Sequence, residues 1–270
     1  MIECPRDVGQ GADVAQPLRV VHIRSQMPSR PASWFPVLAL ALPLGVTAAQ
    51  APEGSAERAR FRAQRLAMVE QQIAAEGVAD TATLRAMRTV PRHEFVPPEY
   101  VARAYGDHPL PIGYGQTISQ PYIVAYMTEI VRPRRGMRVL EVGTGSGYQA
   151  AVLAEIGGRV YTMEIFEALA TSARARLERL GYGAAIVRHG DGNDGWPDAA
   201  PFDAILVTAA AGHIPPLLIE QLKPGGRLVI PVGSVYGVQD LILVEKDAGG
   251  DVRTRHLLPV RFVPLLSGLR

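Results

Sequence analysis

The chain has 270 residues, which is long enough for one α/β domain with extensions. Its acids and bases nearly balance at a formal net charge of +2, so nothing in the charge favours a nucleic-acid partner. The single cysteine, Cys4, excludes a disulfide within the chain and argues against a cysteine nucleophile or a thiolate zinc site.

Residues 1–53 differ in composition from the rest and are left out of the predicted fold. Arg24 and Arg30 precede an apolar run over residues 34–46, and small residues follow it. This order is typical of a secretory signal, and the apolar run is too short to span a bilayer. A start at Met27 would give the signal an ordinary length. The alternative is a disordered extension rich in proline and alanine.

Residues 54–131 are predicted to form N-terminal helices and a substrate loop. Apolar residues at helical spacing predict a helix over 57–76, and Asp80 can cap a second, short helix that ends before Pro91. Residues 92–116 are rich in proline, glycine and aromatic residues, as in functional loops. Pro121 then suits the first turn of a helix that continues to residue 131.

The stretch over residues 138–148 reads as a strand, a glycine loop and the start of a helix, the unit that brings a backbone close to a nucleotide-like ligand. The loop has the pattern G-x-G-x-G (Gly143, Gly145, Gly147) and follows the carboxylate of Glu141. A second acid, Glu164, closes the next strand, where a ribose-binding acid is expected. Two carboxylates would repel a pyrophosphate and attract a cationic, ribose-bearing ligand. We infer S-adenosylmethionine.

The remaining chain predicts a doubly wound, Rossmann-like sheet, with residues 132–270 as the cofactor-binding core. Strands alternate with helices, which favours parallel strands with ligands at their carboxyl ends. Antiparallel strands are expected at the C-terminal edge. The predicted strands cover residues 159–163, 184–188, 202–208, 227–233, 241–245 and 252–265, and the predicted helices cover 166–180 and 215–222. The histidine spacing gives no support for a metal site.

Two candidate site residues keep a structural alternative at this stage. Asp191 follows the third strand in a glycine turn and could accept a hydrogen bond from an adenine amino group, or it could simply shape the turn. Ser119 precedes a helix, where a serine is often an N-cap. His93, Asp107 and His108 are candidates for a substrate groove, with hydrogen bonding within the loop as the alternative.

Several stretches resemble the protein-L-isoaspartate O-methyltransferases, a family of class I S-adenosylmethionine-dependent methyltransferases, from about residue 63 to residue 265. The Q-T-I-S-Q-P stretch, residues 116–121, is specific to that family, and the glycine loop is not. The stretches are residues 92–97, 109–113, 115–121, 141–147, 224–227 and 260–265. The resemblance implies methylation of the free α-carboxylate of L-isoaspartyl residues in damaged proteins or peptides, which begins repair through a succinimide.

The resemblance also implies residue roles. Ser119 is the active-site residue, which orients the acceptor, and Thr117 and Gln120 line the same pocket. Glu164 holds the ribose, Asp191 and Gly192 meet the adenine, and Gly143, Gly145 and Gly147 line the cofactor. Glu141 stabilises the loop near the amino-acid end of the cofactor.

The chemistry of the residues agrees with a carboxylate acceptor. Residues 208–211 (T-A-A-A) lack the Asn or Asp with two prolines that holds a nitrogen nucleophile in other enzymes of this fold. A carboxylate is already ionised at neutral pH and needs orientation rather than a general base. The alternatives are a methyltransferase for another carboxylate acceptor and a non-catalytic adaptor that binds the cofactor and recognises damaged chains.

The expected partners are isoaspartyl proteins and peptides, and the protein is expected to be a monomer without a membrane span. The family norm and the cofactor supply favour the cytoplasm. The alternative is export through the signal-like segment near residues 27–51.

Overall fold

A seven-stranded, mostly parallel sheet lies at the centre of the structure, a computed structural model that describes residues 53–234 and 237–268. The predicted leader, residues 1–53, falls outside the described residues except for Glu53. The strands of this sheet are β3 (Arg138–Val142), β4 (Arg159–Glu164), β5 (Ile186–His189), β6 (Phe202–Val207), β7 (Leu222–Gly233), β8 (Gln239–Lys246) and β9 (Val252–Val260), in the spatial order β5-β4-β3-β6-β7-β8-β9. The pairs from β5 to β7 are parallel, and β8 and β9 add antiparallel pairs at one edge. The expected doubly wound sheet with antiparallel C-terminal strands is confirmed.

Side chains along the central strands alternate between two hydrophobic cores, as the period of a strand requires. Val139 and Ala204 join the core on one face, whereas Leu140 and Ile205 join the core on the other. All four are fully buried. A sheet with both faces covered explains why these strands are nearly continuous apolar runs.

Helices of the N-terminal part and of the sheet crossovers cover these faces. They are α1 (Glu53–Met68), which continues as a π-helix (Val69–Ala74), α2 (Thr81–Thr89), α3 (Pro121–Val131), α4 (Tyr148–Ile156), α5 (Glu167–Arg179) and α6 (Pro216–Glu220). Short 3-10 helices cover Arg92–Phe95, Pro98–Arg103, Gly192–Asp194 and Pro197–Ala199. Asp80 caps α2 as expected, since its carboxylate accepts a hydrogen bond from the Thr83 N–H at 2.9 Å.

A two-stranded antiparallel hairpin, β1 (Leu110–Gly113) and β2 (Gln116–Ile118), stands apart from the main sheet. The tip of this hairpin is residues 113–115. Ile112 faces the glycine loop, because a Cβ built on Gly145 would be 3.1 Å from the Cδ1 of Ile112. The substrate-loop region therefore folds back over the carboxyl ends of the central strands.

Two sequence-based expectations at the C-terminal edge are wrong. β7 begins at Leu222 instead of at the predicted residue 227, so residues 223–226 belong to the strand. β9 ends at Val260, and the chain then leaves the sheet edge instead of continuing as a strand to residue 265. There, the Ala210 N–H donates to the Val263 carbonyl at 2.8 Å, and the Leu265 N–H donates to the Ala210 carbonyl at 2.7 Å. These contacts redirect the segment across the carboxyl end of β6.

Across the two described stretches, no helix is long and apolar enough to cross a membrane. Within the same stretches, no group of His, Cys, Asp and Glu side chains is arranged to hold a metal ion.

Candidate active site

The glycine loop joins β3 to α4 at the carboxyl end of the sheet. Gly143, Gly145 and Gly147 all adopt positive φ, at 102°, 52° and 91°, which L side chains rarely adopt. A Cβ on Gly143 would also clash with the Thr208 hydroxyl, which donates to the carbonyl oxygens of Val142 (3.0 Å) and Gly143 (2.8 Å). Thr208, at the end of β6, thus fixes the first turn of the loop.

Glu141 is fully buried beneath this loop. Its Oε2 accepts a hydrogen bond from the Thr162 hydroxyl at 2.6 Å, while its Oε1 has no partner among the described residues. Burial raises the pKa of Glu141 to about 8, although the Thr162 bond lowers it. The carboxyl group is therefore poised to ionise when a cation comes close.

Glu164 ends β4 and bonds to the glycine loop. Its carboxylate accepts from the Gly145 N–H at 2.7 Å and from the Phe166 N–H at 3.1 Å. Burial raises its pKa, and these N–H donors oppose that shift. The two acids therefore flank the loop, as the sequence predicts.

These groups line a cavity of about 740 Å³, here called the cofactor cavity. Its lining includes Gln116, Thr117, Ser119, Glu141, Gly143, Gly145, Ser146, Gln149, Glu164, Gly192, Thr208, Val263 and Leu265. The buried atoms without a hydrogen-bond partner in the described protein include three on this lining: Glu141 Oε1, Ser146 Oγ and Gln149 Oε1. Because such atoms are costly to bury unsatisfied, the cavity fits a polar ligand.

Gly147 is not on the cavity lining. A Cβ there would contact Leu177 of α5 at 3.3 Å, so this glycine lets α4 and α5 pack closely. The sequence pattern does not distinguish this packing role from a contact with a ligand.

Asp191 stands beside the cavity rather than on its lining. Its carboxylate accepts from the Asn193 N–H at 2.9 Å, from the Asn193 side-chain amide at 2.8 Å and from the Gly268 N–H at 2.8 Å. It therefore holds the turn and the end of the chain, as the structural alternative foresaw. Gly192 does line the cavity, and a Cβ on it would clash with Val142.

A second cavity of about 960 Å³, here called the groove, adjoins the first. It is lined by Pro109, Thr117, Ser119, Gln120, Ile123, Thr208, Val238, Pro259, Val260, Arg261, Phe262 and Val263. Four residues line both cavities: Thr117, Ser119, Thr208 and Val263. We call these four the junction residues.

Ser119 is half-buried at the junction, and no hydrogen bond to its hydroxyl is found among the described residues. It does not cap α3, whose N-cap is Gln120. Asp107, in a loop that is remote in the sequence, supplies the side-chain cap of α3. Its Oδ1 accepts from the Tyr122 N–H at 2.9 Å, and its Oδ2 accepts from the Gln120 side-chain amide at 2.6 Å. The N-cap alternative for Ser119 is therefore wrong, and its hydroxyl is free to bind a ligand.

The two candidate histidines bond within their loops. His93 Nδ1 lies 2.7 Å from the Tyr105 hydroxyl, and its ring stacks on Phe61. His108 Nδ1 lies 3.2 Å from the carbonyl oxygen of Pro109. Sequence reasoning missed two junction residues, Thr208 and Val263. The family-like stretch at 260–265 was a signal for Val263, and the position of Thr208 at the start of the 208–211 stretch, where related enzymes hold their acceptor, was a signal for Thr208.

The chain matches the family model described as protein-L-isoaspartate(D-aspartate) O-methyltransferase over residues 63–270. It is 60% identical over 208 residues to a protein-L-isoaspartate O-methyltransferase of Opitutus terrae, covering 77% of this chain and 88% of the relative. It is 51% identical over 247 residues to protein-L-isoaspartate O-methyltransferase 1 of Cupriavidus necator, covering 89% of this chain and 95% of the relative.

Solved structures show the same likeness. A protein-L-isoaspartate O-methyltransferase structure is 31% identical with a TM-score of 0.68 and covers 77% of this chain and 66% of that chain. A Plasmodium falciparum structure assigned to the same enzyme, in complex with S-adenosyl-L-homocysteine, is 25% identical with a TM-score of 0.66. The match covers 75% of this chain and 98% of that chain. By sequence and by fold, this chain belongs to the protein-L-isoaspartate(D-aspartate) O-methyltransferase family.

Proposed function

We propose that the protein transfers the methyl group of S-adenosylmethionine to the free α-carboxylate of L-isoaspartyl residues in damaged proteins and peptides. The observation that carries this proposal is the junction: a cavity suited to a polar cofactor meets a groove open to a polypeptide, and the unpartnered Ser119 hydroxyl lies where the two meet. The resulting ester collapses to a succinimide, whose hydrolysis restores some normal aspartate.

The residues of the cofactor cavity fit this donor. When bound, S-adenosylmethionine supplies a methyl group activated by its sulfonium. Glu141, with an unpartnered oxygen, would receive the cationic amino-acid end, and Glu164 would hold the ribose. Gly192 would meet the adenine, with Asp191 fixing the turn that carries Gly192. Gly143 and Gly145 would line the cofactor, and Gly147 would hold α4 in place.

The acceptor side needs orientation more than proton transfer. A carboxylate is ionised near neutral pH, so no general base is required. The Ser119 hydroxyl would donate a hydrogen bond to it, with Thr117 and Gln120 beside it on the groove lining. Uncharged donors suit this task, because a cation in direct contact would stabilise the nucleophile before reaction.

Methyl transfer to a matched pair of peptides tests the proposal. One peptide carries an L-isoaspartyl residue, and its twin carries normal aspartate at the same position. We expect wild-type protein to form S-adenosylhomocysteine and an alkali-labile methyl ester with the first peptide only. Equal methylation of both peptides would point to another carboxylate acceptor. Cofactor binding without product would point to the adaptor alternative.

We also propose that the protein works as a cytoplasmic monomer, since its methyl donor is made inside cells. Residues 54–270 would form the catalytic domain, and residues 1–53 would be a separate leader. Light scattering of the purified protein measures the mass in solution. N-terminal sequencing of the mature protein tests the location, because cleavage near residue 51 would favour export.

A further inference from the structure

Among the residues that the structure describes, the groove beside the junction has one charged residue on its lining. Apolar side chains dominate the lining, and its polar members cluster at the junction and at Gln120. Arg261 is the exception. It is exposed, and no carboxylate pairs with it among the described residues. An exposed, unpaired guanidinium on an otherwise uncharged peptide groove is available to a ligand of opposite charge.

The backbone around Arg261 is held firmly. Val260, before it, is buried in the core. After it, the Phe262 N–H donates to the side-chain oxygen of Gln239 at 2.9 Å. Gln239 is itself buried, and its amide donates to the carbonyl oxygens of Ser234 (2.8 Å) and Gly237 (3.1 Å). The position of Arg261 on the groove is therefore fixed by the fold.

Arg261 lines the groove but not the cofactor cavity, whereas Ser119 lines both. A carboxylate that receives a methyl group must lie at the junction, so Arg261 is placed for a different carboxylate of the same polypeptide.

We propose that Arg261 binds an acidic side chain close to the isoaspartyl residue, so that the protein prefers damaged sites with acidic flanks. This inference rests on the proposed function and names its substrate class. A charge pair at an exposed site changes binding by a factor of about two to five. Because salt screens such pairs, the preference should weaken as ionic strength rises.

The experiment compares peptides that are acetylated at one end, amidated at the other, and identical except for one residue. That residue is Glu, Gln or Lys. It is placed in turn at each of the two positions before the isoaspartyl residue and at each of the two positions after it. kcat/KM for methyl transfer is measured for wild-type protein and for Arg261→Gln. Arg253→Gln serves as the matched control, since Arg253 is an exposed arginine of β9 that is not on the groove lining.

At one or more positions, wild-type protein should prefer Glu over Gln, and Gln over Lys, by about two- to fivefold per step. Arg261→Gln should abolish this order, while Arg253→Gln should retain it. A wild-type protein indifferent to charge, or a preference that survives Arg261→Gln, would overturn the inference alone. Failure to methylate any isoaspartyl peptide would instead overturn the proposed function, and this inference with it.

Discussion

The Ser119 hydroxyl has no hydrogen-bond partner among the described residues. The sequence position of Ser119 suggests an N-cap of α3, but the carboxylate of Asp107 fills that role. Asp107 accepts the hydrogen bond from the Tyr122 N–H at the start of α3. A serine engaged as an N-cap would have its oxygen occupied by the backbone. Its actual setting leaves Ser119 able to donate to a carboxylate at the junction.

Replacement of Ser119 by alanine tests that role. A hydrogen bond to a charged group contributes about 1.5–3 kcal/mol, so we expect kcat/KM for an isoaspartyl peptide to fall by roughly tenfold to a hundredfold. The Kd for S-adenosylhomocysteine should stay within about twofold, since the cofactor contacts remain. Ser119→Thr keeps a hydroxyl and should retain more activity than the alanine variant. Full activity of Ser119→Ala would contradict the assignment.

Because the pKa of Glu141 is raised, we expect cofactor binding to depend on pH. Its raised pKa, about 8, means that the free protein carries this carboxyl group protonated at neutral pH. A cationic ligand favours the ionised form, so binding should release a proton. Affinity should therefore increase with pH up to about 8, by at most about tenfold per pH unit, and level off above that value.

Calorimetry in buffers of different ionisation enthalpy measures the released proton. In Glu141→Gln this release should be smaller than in the wild-type protein. The same raised pKa determines how the free energy of unfolding changes with pH. The pKa of Glu141 is raised above its ordinary 4.5, so its contribution to stability is fully present below about 4.5 and is lost as pH rises from there to about 8. Glu141→Gln should flatten that loss. Unchanged proton release in the variant would contradict the role of Glu141.

At the scale of elements, helix α3 depends on the loop that carries Asp107. Asp107→Ala removes the cap of α3 and releases Gln120, so we expect a loss of about 0.5–2 kcal/mol in the free energy of unfolding and a severalfold rise in KM for peptide. Asp80→Ala is the matched control, because Asp80 caps α2 and is not on the groove lining. It should cost similar stability and leave KM unchanged. Equal effects of both variants on KM would show that Asp107 has no special link to the groove.

Elements with a local cause could be predicted from the sequence. Neighbouring residues determine the glycine loop, the strand β3 that precedes it and the cap at Asp80. The path of residues 261–265 could not be predicted, because it depends on backbone bonds to Ala210, which is remote in the sequence. The cap of α3 by Asp107 could not be predicted either, because Asp107 is also remote in the sequence from the N–H that it caps. Asp191 lies beside the cavity in the predicted glycine turn, but its hydrogen bond from the Gly268 N–H, 77 residues further along the chain, could not be predicted from the sequence.

In the whole molecule, the described residues that line the two cavities fall within one part of the chain. The family match begins at residue 63, and every residue of the two cavities lies between Pro109 and Leu266. We therefore expect a chain that starts at residue 53 to keep its Tm within a few degrees and its kcat/KM within about twofold of the full chain. Thermal unfolding and the peptide assay, run on both chains, check this. A large loss of activity on truncation would mean that residues 1–52 take part in catalysis.

The proposed reaction requires that methyl transfer take place at the junction. A crystal structure with S-adenosylhomocysteine and an isoaspartyl peptide tests this most directly. We predict that the cofactor product fills the cavity next to Glu141 and Glu164, and that the peptide lies in the groove. The isoaspartyl α-carboxylate should accept a hydrogen bond from Ser119 and face the sulfur atom. A peptide bound away from the groove, or a carboxylate out of reach of Ser119 and of the sulfur, would contradict the account.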